Sequence, residues 1–228
     1  MTLTIAPIAQ TFMPTGTVYG TLLNFKAELA ALQPQMNQPP YKTPPQAPVL
    51  YIKPANTWSA NDASIAVPAR VPEVEIGATI AMVIRTSGSH QQIRYVLMND
   101  LSIPHSSFFR PPVKFKCLDG FLGIGTHTLE TDQPHDFKLE VRVNGEVVQK
   151  LDFSQLVRPA AQLLVDVSEF MTLHDGDVLM LGCDCLANGK RPVANAGDVI
   201  TISAPSHPAL GTLSNTLVAL KAFEKEAA

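Results

Sequence analysis

Alternating apolar and polar residues mark a β-hairpin in the middle of the chain. From Phe137 to Asn144, the side chains of Phe137, Leu139, Val141 and Val143 fall on one face. Asn144-Gly145 favours the positive φ angles of a type I′ turn, so Glu146 to Leu151 is predicted to return as the antiparallel partner. A second run, Ile76 to Ile84, is almost wholly apolar and predicts a strand buried on both faces.

Two shorter segments have helical spacing. Asn24 to Leu32 predicts a short helix with one apolar face. A second helix is predicted from Pro159 to a point before Asp175-Gly176, and its apolar positions are Ala160, Leu163, Leu164, Val167, Phe170 and Met171. Clustered prolines from Pro34 to Pro54 interrupt regular structure and predict a loop that enters a short strand at Val49 to Lys53.

Turn residues followed by apolar runs occur twice near the end of the chain, at Asp175 to Leu181 and at Ala196 to Ile202. Many strands with few βαβ alternations predict an α+β, mainly β domain. We expect an N-terminal extension over residues 1–16, one domain over residues 17–220 and a charged tail over residues 221–228 that forms a frayed helix.

Composition narrows the class of protein. The 228 residues include 17 basic and 20 acidic ones, a net charge of −3, which argues against a nucleic-acid partner. No apolar run approaches the roughly 20 residues of a membrane span, and no signal peptide is expected. Three cysteines do not form a disulfide framework, so a cytoplasmic location is expected. The low share of charged residues, 16%, is consistent with self-association.

Several kinds of site are excluded by their motifs. Gly123-Ile124-Gly125 does not open an amphipathic helix, so no dinucleotide or other organic cofactor is predicted, and no G-x-S-x-G elbow occurs. Cys183-Asp184-Cys185 lacks the second pair that a zinc site needs and predicts cysteines buried at a strand end. The six histidines show no metal-binding spacing, and His105 alone is of interest because it lies between Asp100 and Arg110.

Charged residues concentrate between Asn99 and Gly125, in a segment held by prolines. It contains Asp100, Arg110, Lys114, Lys116 and Asp119. Arginine can hold a carboxylate through two hydrogen bonds, and lysine can stabilise developing negative charge, so the segment could bind a small dianion. Spacing alone modestly favours a surface loop that carries incidental ion pairs.

The same segment resembles the fumarylacetoacetate hydrolase superfamily. Asn99-Asp100-Leu101-Ser102, Phe109-Arg110-Pro111 and Lys116-Cys117-Leu118-Asp119-Gly120-Phe121 match its N-D-x-S, [FY]-R-P and K-x-x-D-G-F motifs. Further pieces follow in the family's order over roughly residues 17–218: Ile52 to Thr57, Ser168 to Leu173, Gly176-Asp177-Val178, Gly197-Asp198-Val199 and Gly211 to Asn215. Within the family, the chain resembles the N-terminal halves of the bifunctional isomerase/decarboxylases of 4-hydroxyphenylacetate degradation.

The resemblance implies a mixed β-sandwich roll and an isomerase or decarboxylase. The expected substrates are unsaturated 2-oxo or 2-hydroxy dicarboxylates, namely 2-hydroxyhepta-2,4-diene-1,7-dioate for isomerisation and 5-carboxymethyl-2-oxo-hex-3-ene-1,7-dioate for decarboxylation. By this resemblance Arg110 clamps a carboxylate, Lys116 stabilises the enolate and Lys53 adds positive charge. Asp119 would orient Lys116, and Asn56 would contact the substrate.

The family's metal site is where this sequence departs from the pattern. Relatives hold Mg²⁺ through an E-x-E pair and a later Asp, hard oxygen ligands that suit this cation. Asp100 is retained as a residual ligand, but the pair falls on Gly77 and Thr79. Sliding the nearby Glu73-Val74-Glu75 into place would shift the strand by about 13 Å. The stretch from Thr79 to Asp100 is also short, which predicts the loss of a helix.

Three interpretations follow from this departure. The chain could act without a metal, through its positive residues. It could be a weakly active or inactive subunit that pairs with a homologous, metal-bearing C-terminal-type subunit. It could also be a module that only binds small acids. The expected partners are a dicarboxylate and either a second copy or such a homologous subunit.

Overall fold

The fold is described from a computed structural model that covers residues 11–88, 90–105 and 112–220. Its strands are β1 (Val18–Leu22), β2 (Val49–Lys53), β3 (Trp58–Ser59), β4 (Ser64–Val67), β5 (Val74–Glu75), β6 (Ala78–Ser87), β7 (His90–Asp100), β8 (Leu122–Leu129), β9 (Lys138–Val143), β10 (Glu146–Asp152), β11 (Val178–Met180), β12 (Val193–Ala194), β13 (Val199–Ser203) and β14 (Thr212–Ala219). The helices are α1 (Lys26–Met36), α2 (Val113–Lys116) and α3 (Ala160–Ser168). The predicted α+β, mainly β class is confirmed.

A seven-stranded sheet in the order β2-β1-β11-β6-β7-β8-β3 forms the centre of the molecule. A five-stranded sheet, β10-β9-β13-β14-β4, and a short β12-β5 ribbon accompany it. Most neighbours are antiparallel, whereas β1 with β11, β3 with β8 and β4 with β14 are parallel. Within the described residues, no helix is long and apolar enough to cross a bilayer.

Strand β6 is buried on both faces, as its apolar run predicts. Ile80, Met82 and Ile84 pack into the larger apolar cluster, which also contains Phe137. Ala81 and Val83 point the other way, into a second cluster. Because side chains alternate along a strand, a strand with core on both sides needs a continuous apolar sequence.

The hairpin of β9 and β10 is confirmed, and so are the strands at Val49–Lys53, Val178–Met180 and Val199–Ser203. Asn144 and Gly145 have φ angles of 51° and 87°, as the predicted turn requires. Between Thr79 and Asp100, β6 continues directly into an antiparallel hairpin with β7. The described part of this stretch therefore contains no helix.

Both predicted helices are corrected in their bounds. The first runs from Lys26 to Met36 and includes Pro34 in its last turn, so the proline-interrupted loop begins after Pro34 and not at it. The second ends at Ser168, so Phe170 and Met171 lie beyond it, and Phe170 is 56% exposed rather than part of the core. Helical spacing alone did not indicate where this helix stops.

Some predictions fall outside the described residues. These are the first ten residues of the N-terminal extension and the helix in the tail over residues 221–228. Nearer the domain, the extension packs against it, since Phe12 N donates to Thr126 O and Gly16 N donates to Gly176 O. The domain boundaries stay predictions.

Candidate functional site

Asp100 is the centre of a fully enclosed charged cluster. It is the last residue of β7, and its backbone N donates to Gly77 O. Its carboxylate oxygens take separate partners: Lys53 Nζ lies 3.0 Å from Oδ1, and Lys116 Nζ lies 2.5 Å from Oδ2. The Tyr51 hydroxyl also donates to Oδ2. Two cations and a hydroxyl donor thus surround one carboxylate.

Three elements bring these side chains together. Tyr51 and Lys53 are two residues apart on β2, so they point to the same face while Ile52 between them is 52% exposed. Lys116 ends the short helix α2, and its ammonium lies 4.9 Å from the centre of the Tyr51 ring. The Lys53 ammonium also donates to the backbone oxygens of Lys116 and Phe121, which fastens this segment to β2.

The cluster shifts the pKa of its members. Burial alone would raise the pKa of Asp100, but the ammonium groups of Lys116 and Lys53 outweigh it and hold this pKa well below its usual range. Burial lowers the pKa of Lys53, and burial together with the charge of Asp100 raises the pKa of Tyr51. Asp100 is therefore an anion whose charge is already balanced inside the protein.

The residues present do not fit the family's Mg²⁺ site. A Cβ at Gly77 would lie 2.2 Å from the Asp100 backbone oxygen, so no side chain fits there. The buried hydroxyl of Thr79 donates to Gly182 O at 2.5 Å, and the carboxylate of Asp100 is held by two lysines. No group of three or more His, Cys, Asp or Glu side chains suited to a metal occurs in residues 11–88, 90–105 and 112–220.

A cleft of about 660 Å³ lies beside this cluster. Its polar lining includes Glu28 of α1 and Arg191, which form an ion pair with 3.0 Å between Glu28 Oε1 and Arg191 Nη2. His105 also lines the cleft and stacks on Phe115 with a ring separation of 4.6 Å. The charge of Lys116 influences the pKa of both Glu28 and His105, so its positive potential extends into the cleft.

The remaining sequence-predicted residues are placed as follows. Lys53 and Lys116 are brought together on Asp100, but both are fully buried and neither lines the cleft. Asn56 and Asp119 form an exposed pair, in which Asn56 Nδ2 donates to Asp119 Oδ1 at 2.7 Å. The ammonium of Lys116 is held by Asp100 instead of Asp119. Arg110 lies outside the described residues.

Sequence reasoning did not identify Tyr51, Glu28 and Arg191. The two-residue spacing of Tyr51 and Lys53 on a predicted strand was a usable signal, because it puts both side chains on one face. No local pattern pairs Glu28 with Arg191, which are 163 positions apart. That pair is a product of the tertiary structure.

The thiol of Cys183 is expected to be unreactive in the folded protein. It is 2% exposed, and burial raises its pKa to about 12, whereas Cys117 and Cys185 are partly exposed. Because the thiolate is the nucleophile, iodoacetamide at pH 8 should label Cys117 and Cys185 first and Cys183 only in denaturant. Peptide mass spectrometry would measure this order, and equal labelling of all three in the native state would contradict it.

Comparison with known proteins agrees with the geometry. A model of the family described as fumarylacetoacetate (FAA) hydrolase C-terminal matches residues 17–218, and the chain belongs to this family. It is 35% identical over 218 residues to the 4-hydroxyphenylacetate degradation bifunctional isomerase/decarboxylase of Salmonella dublin. That alignment covers 92% of this chain and 49% of the relative, so the chain spans about half the length of the curated relatives that it matches.

Solved structures share the fold. The 5-carboxymethyl-2-hydroxymuconate delta-isomerase of Mycobacterium smegmatis superposes with a TM-score of 0.71 at 24% identity, over 92% of this chain and 79% of that one. The 2-hydroxyhepta-2,4-diene-1,7-dioate isomerase of Mycobacterium marinum gives 0.71 at 23% identity, over 93% and 78%. The family fold predicted from the motifs is thereby confirmed.

Proposed function

We propose that the chain is an isomerase or decarboxylase acting on an unsaturated 2-oxo or 2-hydroxy dicarboxylate in the cytoplasmic degradation of 4-hydroxyphenylacetate. The observation that carries this proposal is the cleft between Arg191 and His105, backed by the enclosed lysine cluster. The similarity to the bifunctional isomerase/decarboxylase over 92% of the chain supports the substrate class.

Electrostatics favour an acidic ligand. Among residues 11–88, 90–105 and 112–220, the enclosed ion-paired side chains comprise the cations Lys53, Lys116 and Arg191 and the anions Asp100 and Glu28, which leaves one formal positive charge. Charges inside a poorly solvated site act more strongly than exposed ones. The cleft lining also contains Glu73 and Lys190, whose opposite charges are exposed to solvent and screened by it. The half-buried carboxylate of Glu75 also lines the cleft, where it partly offsets the positive charge.

The arrangement also suits the chemistry. Both reactions pass through an enolate, whose oxygen gains negative charge that the potential of Lys116 and Arg191 would stabilise. In the isomerisation, a proton leaves the 2-hydroxyl, a proton is added at C5, and the double bonds shift to a 2-oxo-3-ene. His105 Nδ1 lies 2.9 Å from the Ile103 oxygen and donates to it, which fixes the orientation of the ring in the cleft wall. Burial lowers the pKa of His105, which favours the neutral form of its ring.

Replacement of Lys116 tests the enzyme hypothesis. Lys116→Met should lower turnover of 2-hydroxyhepta-2,4-diene-1,7-dioate by about 10-fold, because it removes a positive charge that acts on the enolate through space from behind the cleft. The assay follows loss of the dienoate chromophore, with Mg²⁺ and with EDTA. Lys114→Met is the matched control, because Lys114 lies on the same helix, is exposed, and should leave turnover unchanged.

Thermal unfolding of both variants separates activity from folding. Lys53 still pairs with Asp100 in Lys116→Met, so the variant should fold. A folded Lys116→Met protein with wild-type turnover would refute the assigned role. Binding of the dicarboxylate without any change of the chromophore over hours would instead identify a module that only binds small acids.

A second candidate function is that of a subunit dependent on a homologous partner. Two observations favour it: the curated relatives are about twice as long, and Gly77 and Thr79 replace the carboxylate pair. In this case the chain alone would give no turnover, and addition of a homologous metal-bearing subunit would restore it. Size-exclusion chromatography of the mixture would show whether a complex of the two subunits forms.

A further inference from the structure

We infer that Arg191 is the carboxylate-binding residue of the cleft and that Glu28 occupies its guanidinium when no ligand is bound. The inference rests on the proposed acidic substrate and names the residue that recognises it. The bound group would be a terminal carboxylate of a dicarboxylate.

The environment of Arg191 is the first argument. Its side chain lines the cleft and is only 9% exposed. Nη2 donates to Glu28 Oε1 at 3.0 Å, whereas Nη1 is buried and has no hydrogen-bond partner among the described residues. A buried donor without a partner is costly, and a guanidinium can bind a carboxylate through two parallel hydrogen bonds. The guanidinium of Arg191 therefore has a buried N–H donor group that a bound carboxylate would satisfy.

The contacts of Glu28 allow a ligand to displace it from Arg191. Its Oε2 accepts from the backbone N of Leu23 at 2.7 Å, and only Oε1 contacts Arg191. Burial raises the pKa of Glu28, which shows that its charged form is poorly solvated here. An incoming carboxylate would share or replace this single contact and would satisfy Nη1 as well. Glu28 and the ligand thus compete for the same cation.

Because Glu28 and the ligand compete for Arg191, removing the charge of Glu28 is expected to strengthen ligand binding. Glu28→Gln should bind heptanedioate, a stable seven-carbon dianion, about 10-fold more tightly than the wild type, since it removes the competing carboxylate. Glu28→Gln/Arg191→Gln should lose about 10–100-fold relative to Glu28→Gln, the range for a charge-assisted hydrogen bond. Both variants lack Glu28, so their difference reports Arg191 alone. Isothermal titration calorimetry measures the affinities.

Two controls exclude general charge effects. Glu73→Gln removes an exposed carboxylate from the same cleft and should change the affinity less than about 2-fold, because solvent screens it. The uncharged heptanediamide should bind no variant more tightly than the wild type. A purely structural Glu28–Arg191 pair predicts that Glu28→Gln only loses stability.

The inference is overturned if Glu28→Gln binds heptanedioate no more tightly than the wild type, or if the double variant binds it as tightly as Glu28→Gln. Should Glu28→Gln fail to fold, a crystal structure of the wild type with heptanedioate decides. It must show a carboxylate within about 3 Å of the Arg191 guanidinium. Binding that depends on Arg191, in a chain that gives no turnover either alone or with a homologous metal-bearing subunit, would uphold this inference while rejecting the proposed function.

Discussion

Restoring the family's carboxylate pair should destabilise this protein strongly rather than create a metal site. In Gly77→Glu/Thr79→Glu, the new Cβ at residue 77 would lie 2.2 Å from the backbone oxygen of Asp100 and 3.1 Å from Cys183 Sγ. Backbone of β7 cannot move aside as a flexible side chain can. Overpacking of this kind costs about 1–3 kcal/mol. The second carboxylate would replace a buried hydroxyl that donates to Gly182 O.

The new charges add to the steric cost. Burial of an unpaired carboxylate costs several kcal/mol unless a cation or a proton neutralises it. Since one kcal/mol corresponds to about 2–4 °C in a domain of this size, a loss of about 5 kcal/mol should lower the Tm by about 10–20 °C. Differential scanning calorimetry with 10 mM Mg²⁺ or with EDTA measures both the loss and any metal effect.

Single variants separate the steric cost from the cost of burying a charge. Gly77→Ala adds only the Cβ and should show the steric part alone. Ser87→Glu puts a carboxylate on the exposed end of the same strand and should change stability by less than about 0.5 kcal/mol. A double variant that folds normally and gains several degrees from Mg²⁺, reversed by EDTA, would show that the metal site was only latent.

The sequence could predict which segment carries the candidate site, but not that its charged side chains are buried. Asp100, Lys53 and Lys116 were identified from motifs, and the structure brings them together on one carboxylate. Their burial was not predicted, since charged residues in a proline-rich segment also suit a surface loop. Tyr51 and Arg191 complete the site from β2 and from a loop after β11, so only the tertiary structure reveals them.

Secondary structure was likewise predicted where the signal was local and misjudged where it was not. The hairpin at Asn144-Gly145 and strand β6 were predicted because turn chemistry and apolar runs are local signals. The end of α3 was misjudged, since Phe170 continues the helical spacing but lies exposed beyond Ser168. The substitution at Gly77 was visible in the motif, whereas its physical reason, the lack of room beside Asp100, required coordinates.

Removal of the central charge should be the most damaging isosteric change. Asp100→Asn leaves two fully buried ammonium groups without their anion, and breaking a buried pair typically costs about 3–5 kcal/mol. Urea unfolding at pH 7 measures this loss. Asp119→Asn makes the same chemical change at an exposed position of the same segment and should cost less than about 0.5 kcal/mol.

The pH dependence identifies the cause of the loss. Burial already lowers the pKa of Lys53, and loss of the anion in Asp100→Asn should lower it further. Between that folded-state pKa and the unfolded value near 10.4, the unfolded chain binds more protons, so stability rises with pH. The deficit of Asp100→Asn should therefore shrink from pH 7 to pH 9.5. A deficit independent of pH would mean that lost hydrogen bonds, rather than unpaired lysine charge, destabilise the variant.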